Sequence, residues 1–405
     1  MLNIAVFYGG KSSEHDVSVV TALQMMENLD RKKYRIIPIY ITREGDWYTG
    51  EKLMDIDVYK EFALAAPELT RCYLPANTRA RQLFKFDRGR GLFKKDSGII
   101  ASLDAAVLAM HGLNGEDGSL QGLLQLAQVP FTSCGVLGSA AGMDKILMKA
   151  AFQGAGFPVL DYIYFDRGQL ETEAEILAEE AEKRFGYPMF VKPANLGSSI
   201  GISKAKNREE LLKAMQIAAH YDRRILVERG VDSLEEVNCS ALGFASNVKV
   251  SVCEMPVTWE EFLTYDEKYM RSAKSGGSKQ GMQALSRRIP APIGDELTAK
   301  IQDYTRRAFQ LFDCKGVIRI DYIIDKSDGS LYINEINTIP GSFAFYLWEA
   351  SGLSYESLLD ELIEYAVKAF EDSSRSEYAY KSDILLNYKK GAKAGLKGAK
   401  YSGKG

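Results

Sequence analysis

Between residues 4 and 110, apolar runs recur with room for a helix between them: Ile4 to Tyr8, Ile36 to Ile41 and Ala105 to Met110, with an amphipathic run from Val17 to Leu29 after the first. Short runs that are apolar throughout suit strands buried on both faces, and a strand-helix-strand succession builds an open parallel α/β sheet. Ligands of such sheets bind beyond the carboxyl ends of the strands. The loops after Tyr8 and after Met110 are therefore the first places to look for chemistry. At 405 residues the chain exceeds what one hydrophobic core serves, which predicts two or three domains around a cleft.

The pattern divides the chain into four segments: an N-terminal α/β domain over 1–138, a small α+β lid over 139–231, a larger lobe over 232–371 and a Lys/Gly-rich tail over 372–405. Within the first, residues 51–102 are irregular and basic, with Arg79, Arg81, Lys85, Arg88, Arg90, Lys94 and Lys95 among aromatics, and read as a solvated insertion. The lid opens on a helix pattern from Ala140 to Ala155, closed by Gly156 and Pro158. The larger lobe has strand patterns at 237–244, 248–254, 317–324 and 331–337 and helix patterns at 295–312 and 355–370. The tail is low in complexity and reads as a solubilising extension.

The formal net charge is −3, whereas nucleic-acid binding needs a clustered positive field, so no nucleic-acid partner is expected. Five cysteines without CxxC spacing suggest neither a disulfide framework nor zinc. No transmembrane run or leader stands out, which makes the cytoplasm the expected location.

Three segments carry residues suited to chemistry. Gly197-Ser198-Ser199-Ile200-Gly201 follows a strand ending Val191-Lys192-Pro193, so bare backbone N–H groups and an ammonium lie together, as a phosphate cradle requires. Arg319-Ile320-Asp321 and Glu335-Ile336-Asn337 each place two polar side chains on one face of an otherwise apolar strand. Two carboxylates and an amide are hard ligands suited to magnesium, with Arg319 facing a transferring phosphoryl group; the competing reading is a buried salt bridge between Arg319 and one carboxylate. Glu14 and His111 stand in the two loops at the first sheet's ligand edge, where Asp16 reads as a helix N-cap and His15 as a surface residue.

Taken in order, YGGKSSEHDVS (8–18), HGLNGEDGSLQG (111–122), GSAAGMDK (138–145), VKPANLGSSIGISK (191–204), ILVERGV (225–231), YDEKY (265–269), RIDY (319–322) and NEINTIPG (334–341) make residues 3 to 370 resemble the D-alanine:D-alanine ligase family of the ATP-grasp superfamily. The resemblance implies an N-terminal open parallel sheet domain followed by a two-lobed ATP-grasp domain. It also implies a cytoplasmic homodimer that joins two amino acids through an acyl phosphate in cell-wall precursor synthesis, using ATP and two magnesium ions, with manganese as an alternative.

By the same resemblance, Lys145, Lys192 and Lys268 contact ATP phosphates, Ser198 and Ser199 form the phosphate lid, and Glu228, Arg229, Val231 and Glu236 hold adenine and ribose. Asp321, Glu335 and Asn337 bind the metal ions, and Arg319 and the Gly341 N–H stabilise the tetrahedral intermediate. Glu14, linked through Ser198 to Tyr269, and His111 serve the first amino acid. The chain departs from the family after Gly341. Where the family has a threonine and then a serine for the second carboxylate, Ser342-Phe343-Ala344-Phe345-Tyr346-Leu347-Trp348 is about four residues shorter and aromatic. Ser342 is the hydroxyl left for the second substrate, and an aromatic wall opens the alternatives of a hydrophobic amino acid, a hydroxy acid or another amine in place of a second D-alanine. The loop after Tyr269, rich in Lys274, Lys279 and glycine, is longer than the family's and reads as a lid extension.

Overall fold

The computed structural model describes residues 1–76, 81–86, 98–257 and 287–377. Strands β1 (Leu2–Gly9), β2 (Tyr34–Ile41), β3 (Trp47–Thr49), β4 (Thr70–Tyr73), β5 (Gln82–Lys85), β6 (Ile99–Ser102) and β7 (Ala105–Leu108) form one sheet in the order β6-β5-β4-β3-β2-β1-β7. The centre, β2-β1-β7, is parallel as its unbroken apolar runs predict. The remainder is antiparallel: β3 lies just before residue 51, and β4, β5 and β6 come from the segment read as an insertion. There Leu53, Cys72, Leu74 and Leu83 are buried in the same core as β1. Strands of four residues are too short for their periodicity to stand out among basic neighbours. Arg79, Arg88, Arg90, Lys94 and Lys95 lie outside the described residues.

The second sheet is wholly antiparallel, in the order β10-β9-β11-β8, from β8 (Tyr162–Asp166), β9 (Met189–Pro193), β10 (Ser203–Ala205) and β11 (Arg224–Arg229). Two helices, Arg167–Phe185 and Arg208–Tyr221, cover one face with Leu177, Ala178, Leu211 and Met215. Both start at side-chain caps: Asp166 accepts from the Gln169 N–H and Asn207 from the Glu210 N–H.

The third sheet, also antiparallel, runs β14-β13-β12-β15-β16 from β12 (Leu234–Phe244), β13 (Asn247–Pro256), β14 (Arg287–Arg288), β15 (Lys315–Asp325) and β16 (Leu331–Asn337). Cys239, Ile318, Ile320 and Ile336 pack against Ile301, Ala308 and Phe309 of the helix Asp295–Leu311 on one face. Alternation therefore turns Arg319, Asp321, Glu335 and Asn337 to the other face.

Packing cuts the chain differently from the sequence segments. The helix Val136–Met143 runs across the expected boundary near residue 139. Met148 and Phe152 of the helix Lys145–Gly154, with Phe157, belong to the core of the third sheet rather than the second. The last helix, Tyr355–Ser373, returns to the first sheet, burying Leu358, Leu359, Leu362 and Ile363 in its core. Sequence pattern gives a helix its apolar face but not the partner of that face. All five cysteines are buried free thiols, and no described helix is long and apolar enough to cross a membrane.

Candidate active site

A cavity of about 330 Å³ opens where the three sheets meet. The first sheet contributes the loops after β1 and β7. Glu14, 7% exposed, sits at the start of the helix His15–Asn28 and accepts a hydrogen bond from the Ser198 hydroxyl of the glycine-serine turn. Ser198 and Ser199 both have left-handed φ, +52° and +60°. The turn lies so near that a Cβ on Gly197 would come within 3.1 Å of a Glu14 oxygen.

The two loops are tied together behind Glu14, because the Ser18 hydroxyl accepts from the Gly9 N–H at 2.7 Å and donates to the Ala109 carbonyl at 2.5 Å. His15, expected at the surface, is buried between the Gly10 carbonyl (2.7 Å) and the Tyr40 hydroxyl (2.9 Å). Asp16, expected as a cap, instead takes a hydrogen bond from Arg43 at 2.8 Å, and the helix begins one residue before it.

His111 is buried with Nε2 3.1 Å from Thr21 Oγ1. Burial pushes its imidazole down to about 4, against a backbone hydrogen bond with Ile339, so it is neutral at pH 7. Glu116 accepts the Gly112 N–H at 2.7 Å and the Ile339 N–H at 3.3 Å, joining this loop to the segment after β16. Burial, with the Glu14 charge as second cause, raises its carboxyl to about 8, so it holds a proton through most of the physiological range.

The second sheet and the helix Lys145–Gly154 form the cationic side. The Asp144 side chain caps that helix by accepting from the Ile146 and Leu147 N–H groups at 3.0 and 2.9 Å. Lys145 Nζ then reaches the Leu196 carbonyl at 2.6 Å and stands 3.7 Å from Glu335. One turn on, Lys149 Nζ is 2.9 Å from Glu228 Oε2, with both side chains only 1% exposed. The other Glu228 oxygen is paired with Lys192. Burial drives the Glu228 carboxyl up, but the two ammonium groups outweigh it and bring it down to about 2. Beside this triad Leu160, Val231 and Ile323 cluster into an apolar slot between the lobes, and Glu236 lines its rim.

The floor is the exposed face of β15 and β16, whose register sets Arg319 opposite Asn337 and Asp321 opposite Glu335. Arg319 grips Asp321 with two hydrogen bonds, 2.6 and 2.7 Å, and Asn337 donates to Asp321 at 3.0 Å. The competing reading is the one observed: Arg319 and Asp321 form a salt bridge, and both side chains line the cavity. Among the described residues no group of three His, Cys, Asp or Glu forms a self-sufficient metal cage. Two carboxylates and an amide opposite one another match a magnesium ion that takes its other ligands from phosphates and water.

Beyond Gly341 the segment expected to form an aromatic wall does so with one ring. Phe343 and Trp348 are buried in the core of the first sheet, and Tyr346 alone of the four aromatics faces the cavity. Ser342 is absent from the cavity lining: 2% exposed, it donates to Gln24 at 2.7 Å. The Tyr346 hydroxyl donates to Glu254 at 2.6 Å, which also accepts from Asn238 at 2.9 Å.

Family models described as "D-ala D-ala ligase N-terminus" and "D-ala D-ala ligase C-terminus" match residues 3–134 and 151–364. The D-alanine–D-alanine ligase of Ruminiclostridium cellulolyticum is 40% identical over 381 residues, covering 92% of this chain and 97% of the relative. That of Acetivibrio thermocellus is 37% identical, covering 91% and 97%. The chain belongs to the D-alanine–D-alanine ligase family. Among solved structures it is similar to the ligase of Coxiella burnetii (TM-score 0.75, 27% identity, 92% and 97% covered) and to the VanG D-Ala:D-Ser ligase of Enterococcus faecalis (0.74, 31%, 90% and 99%). Like the rest of this family it is an ATP-dependent ligase built on the ATP-grasp fold.

Of the residues that the family resemblance singles out, Glu14, His111, Lys145, Lys192, Ser198, Ser199, Glu228, Val231, Glu236, Arg319, Asp321, Glu335, Asn337 and Gly341 all line the one cavity. Arg229 does not; its guanidinium donates to the Tyr332 hydroxyl at 3.1 Å and approaches Asp325. Lys268 and Tyr269 lie outside the described residues, as do Lys274 and Lys279. Glu116, Lys149, Glu254 and Arg287 escaped the sequence reading. For Lys149 a signal was present, since it stands four residues after Lys145 and so on the same helix face. Glu254 and Arg287 meet partners from segments distant in sequence, and Glu116, besides the nearby Gly112 N–H, meets Ile339 from beyond β16.

Proposed function

We propose that this ligase joins two molecules of D-alanine, with ATP as the energy source, to give D-alanyl-D-alanine, ADP and phosphate for peptidoglycan precursors. Supporting this reading is the convergence, in one cavity, of an ammonium-binding carboxylate (Glu14), phosphate-facing lysines (Lys145, Lys192) and the Arg319-Asp321-Glu335-Asn337 floor. The carboxylate of the first D-alanine attacks the γ-phosphorus, the β–γ bridge breaks, and ADP leaves an acyl phosphate. The amine of the second molecule, having lost its proton, attacks the acyl carbon, and phosphate departs as the C–N bond forms.

Glu14 holds the first ammonium, and its hydrogen bond with Ser198 ties substrate binding to closure of the phosphate turn over the site. Lys145 and Lys192 neutralise phosphate charge. Arg319 and the Gly341 N–H bind the oxygen that becomes negative in the tetrahedral intermediate. Asp321, Glu335 and Asn337 would hold magnesium, or manganese in its place, and the metal when bound would screen the β- and γ-phosphate charge. Closure excludes water, which would otherwise hydrolyse the acyl phosphate. ATP supply places the work in the cytoplasm, and we assign the chain to a homodimer, checked by sedimentation equilibrium.

Purified protein incubated with ATP, magnesium and D-alanine should release phosphate and yield the D-alanyl-D-alanine mass. Phosphate release that requires a different acceptor, D-serine included, would transfer the proposal to that acceptor; no release with any D-amino acid would refute it.

A further inference from the structure

We propose that Arg287 anchors the α-carboxylate of the second amino acid, an assignment that rests on the ligase reading above and adds the acceptor's recognition element. The connection after Gly341 cannot supply that anchor. Ser342, Phe343 and Ala344 follow one another with left-handed φ of +46°, +58° and +51°, an arrangement L-residues rarely adopt. Its effect is to turn the Ser342 hydroxyl into the protein, onto Gln24, and to bury Phe343. The next hydroxyl, that of Tyr346, is donated to Glu254. No hydroxyl between Gly341 and Tyr346 is offered to a carboxylate in the cavity.

Among the described residues four cationic side chains line the cavity: Lys145, Lys192, Arg319 and Arg287. Three are engaged at short range. Lys145 donates to the Leu196 carbonyl, Lys192 is paired with Glu228, and Arg319 holds Asp321 through two hydrogen bonds. Arg287 differs. Its nearest carboxylate oxygen, Glu254 Oε2, is 3.6 Å from Nη1, beyond hydrogen-bonding distance, and that buried Nη1 has no hydrogen-bond partner. The guanidinium carbon lies 3.8 Å from the centroid of the Tyr346 ring.

Stacking fixes the plane of the fork while leaving its edge N–H groups to a ligand, and a buried N–H without an acceptor is costly unless one arrives. A carboxylate is the planar, two-oxygen acceptor that such a fork matches. Glu254 faces the same guanidinium and balances its charge before the substrate enters. The acceptor class that follows is an amino acid with a free α-carboxylate. An amide of the same shape would offer the fork one neutral acceptor oxygen instead of two charged ones, and an amine none.

The test compares two acceptors in the intact enzyme with ATP and magnesium: D-alanine, and D-alaninamide, which has no carboxylate to be phosphorylated and so serves only as the second substrate. Arg287→Met should raise the KM for acceptor D-alanine on the order of 100-fold, as expected when one partner of a buried charged contact is removed, while changing that for D-alaninamide about twofold or less. Arg287→Lys keeps the cation but not the fork and should show the same bias in milder form, which guards against a folding defect in the first variant. A loss equal on both acceptors, or no loss on either, in both variants overturns the assignment. A wild-type protein that forms no dipeptide from D-amino acids would instead overturn the ligase reading on which it rests.

Discussion

Replacing Lys149 by Met isolates the part of the site that is held together by buried charge. Lys149 and Glu228 are each 1% exposed and 2.9 Å apart, and Lys192 holds the second Glu228 oxygen. Methionine is close to lysine in length but leaves Glu228 Oε2 with no cation. Stripping one partner from a buried ion pair costs about 3–5 kcal/mol. Because Lys192 remains, the low end applies, about 3 kcal/mol.

The functional consequence is separate from the loss of stability. With one cation gone, Glu228 draws more strongly on Lys192, which must then leave it to meet a phosphate. One charge-assisted hydrogen bond is worth about 1.5 kcal/mol or more, so the KM for ATP should rise roughly tenfold. Urea denaturation gives the stability and steady-state kinetics the KM. The acid limb adds a third reading. The Glu228 carboxyl is depressed to about 2 from its ordinary 4.5, so its contribution is complete above 4.5 and lost as pH falls toward 2. In Lys149→Met the folded carboxyl titrates higher, so that loss should be smaller and be complete at a higher pH. A variant within about 0.5 kcal/mol of wild type, with an unchanged KM for ATP, would refute the reasoning.

Two further predictions follow from the loop after β7. Gly112 has φ +73°, and a Cβ there would lie 2.5 Å from Ser12 Oγ and 2.8 Å from Glu14 Oε2. Gly112→Ala should therefore cost about 1–2 kcal/mol of stability from the left-handed backbone alone and raise the KM for the first amino acid by displacing Glu14; unchanged kinetics would count against Glu14 as its binding group. Glu116, raised to about 8 by burial and the Glu14 charge, keeps its proton in the folded state over a range where the unfolded chain has lost it. Stability should fall as pH rises from about 4.5 to 8, and Glu116→Gln should remove that slope whatever constant cost the amide carries; parallel pH profiles for the two proteins would show the group to be ionised instead.

Much of the site was legible because its parts are local. Period 2 in Arg319-Ile320-Asp321 and Glu335-Ile336-Asn337 forces alternate residues to one face, and burial of Ile320 and Ile336 leaves the polar members facing out. The glycine-serine turn and the loops after β1 and β7 follow likewise from strands that end where small or polar residues begin. His15 misled because an imidazole in a polar stretch reads as solvated, while Tyr40, which encloses it together with the nearby Gly10 carbonyl, comes from the neighbouring strand β2. Residues 51–102 misled because β4, β5 and β6 are too short to carry a period.

The sequence by itself determined the α/β class, the parallel centre of the first sheet, the ligase family and most of the cavity floor, since each is written in residues close together or in an ordered set of motifs. Tertiary structure alone decided which surfaces pair. It sent the helix Lys145–Gly154 to the third sheet and the last helix to the first, and it closed the Lys149-Glu228-Lys192 triad from three separate elements. It also turned Ser342 inward and left Arg287 facing the cavity. The physical reason is that an apolar stripe or a lone charge specifies only that it needs a partner, and the partner is set by shape and burial between segments far apart in the chain.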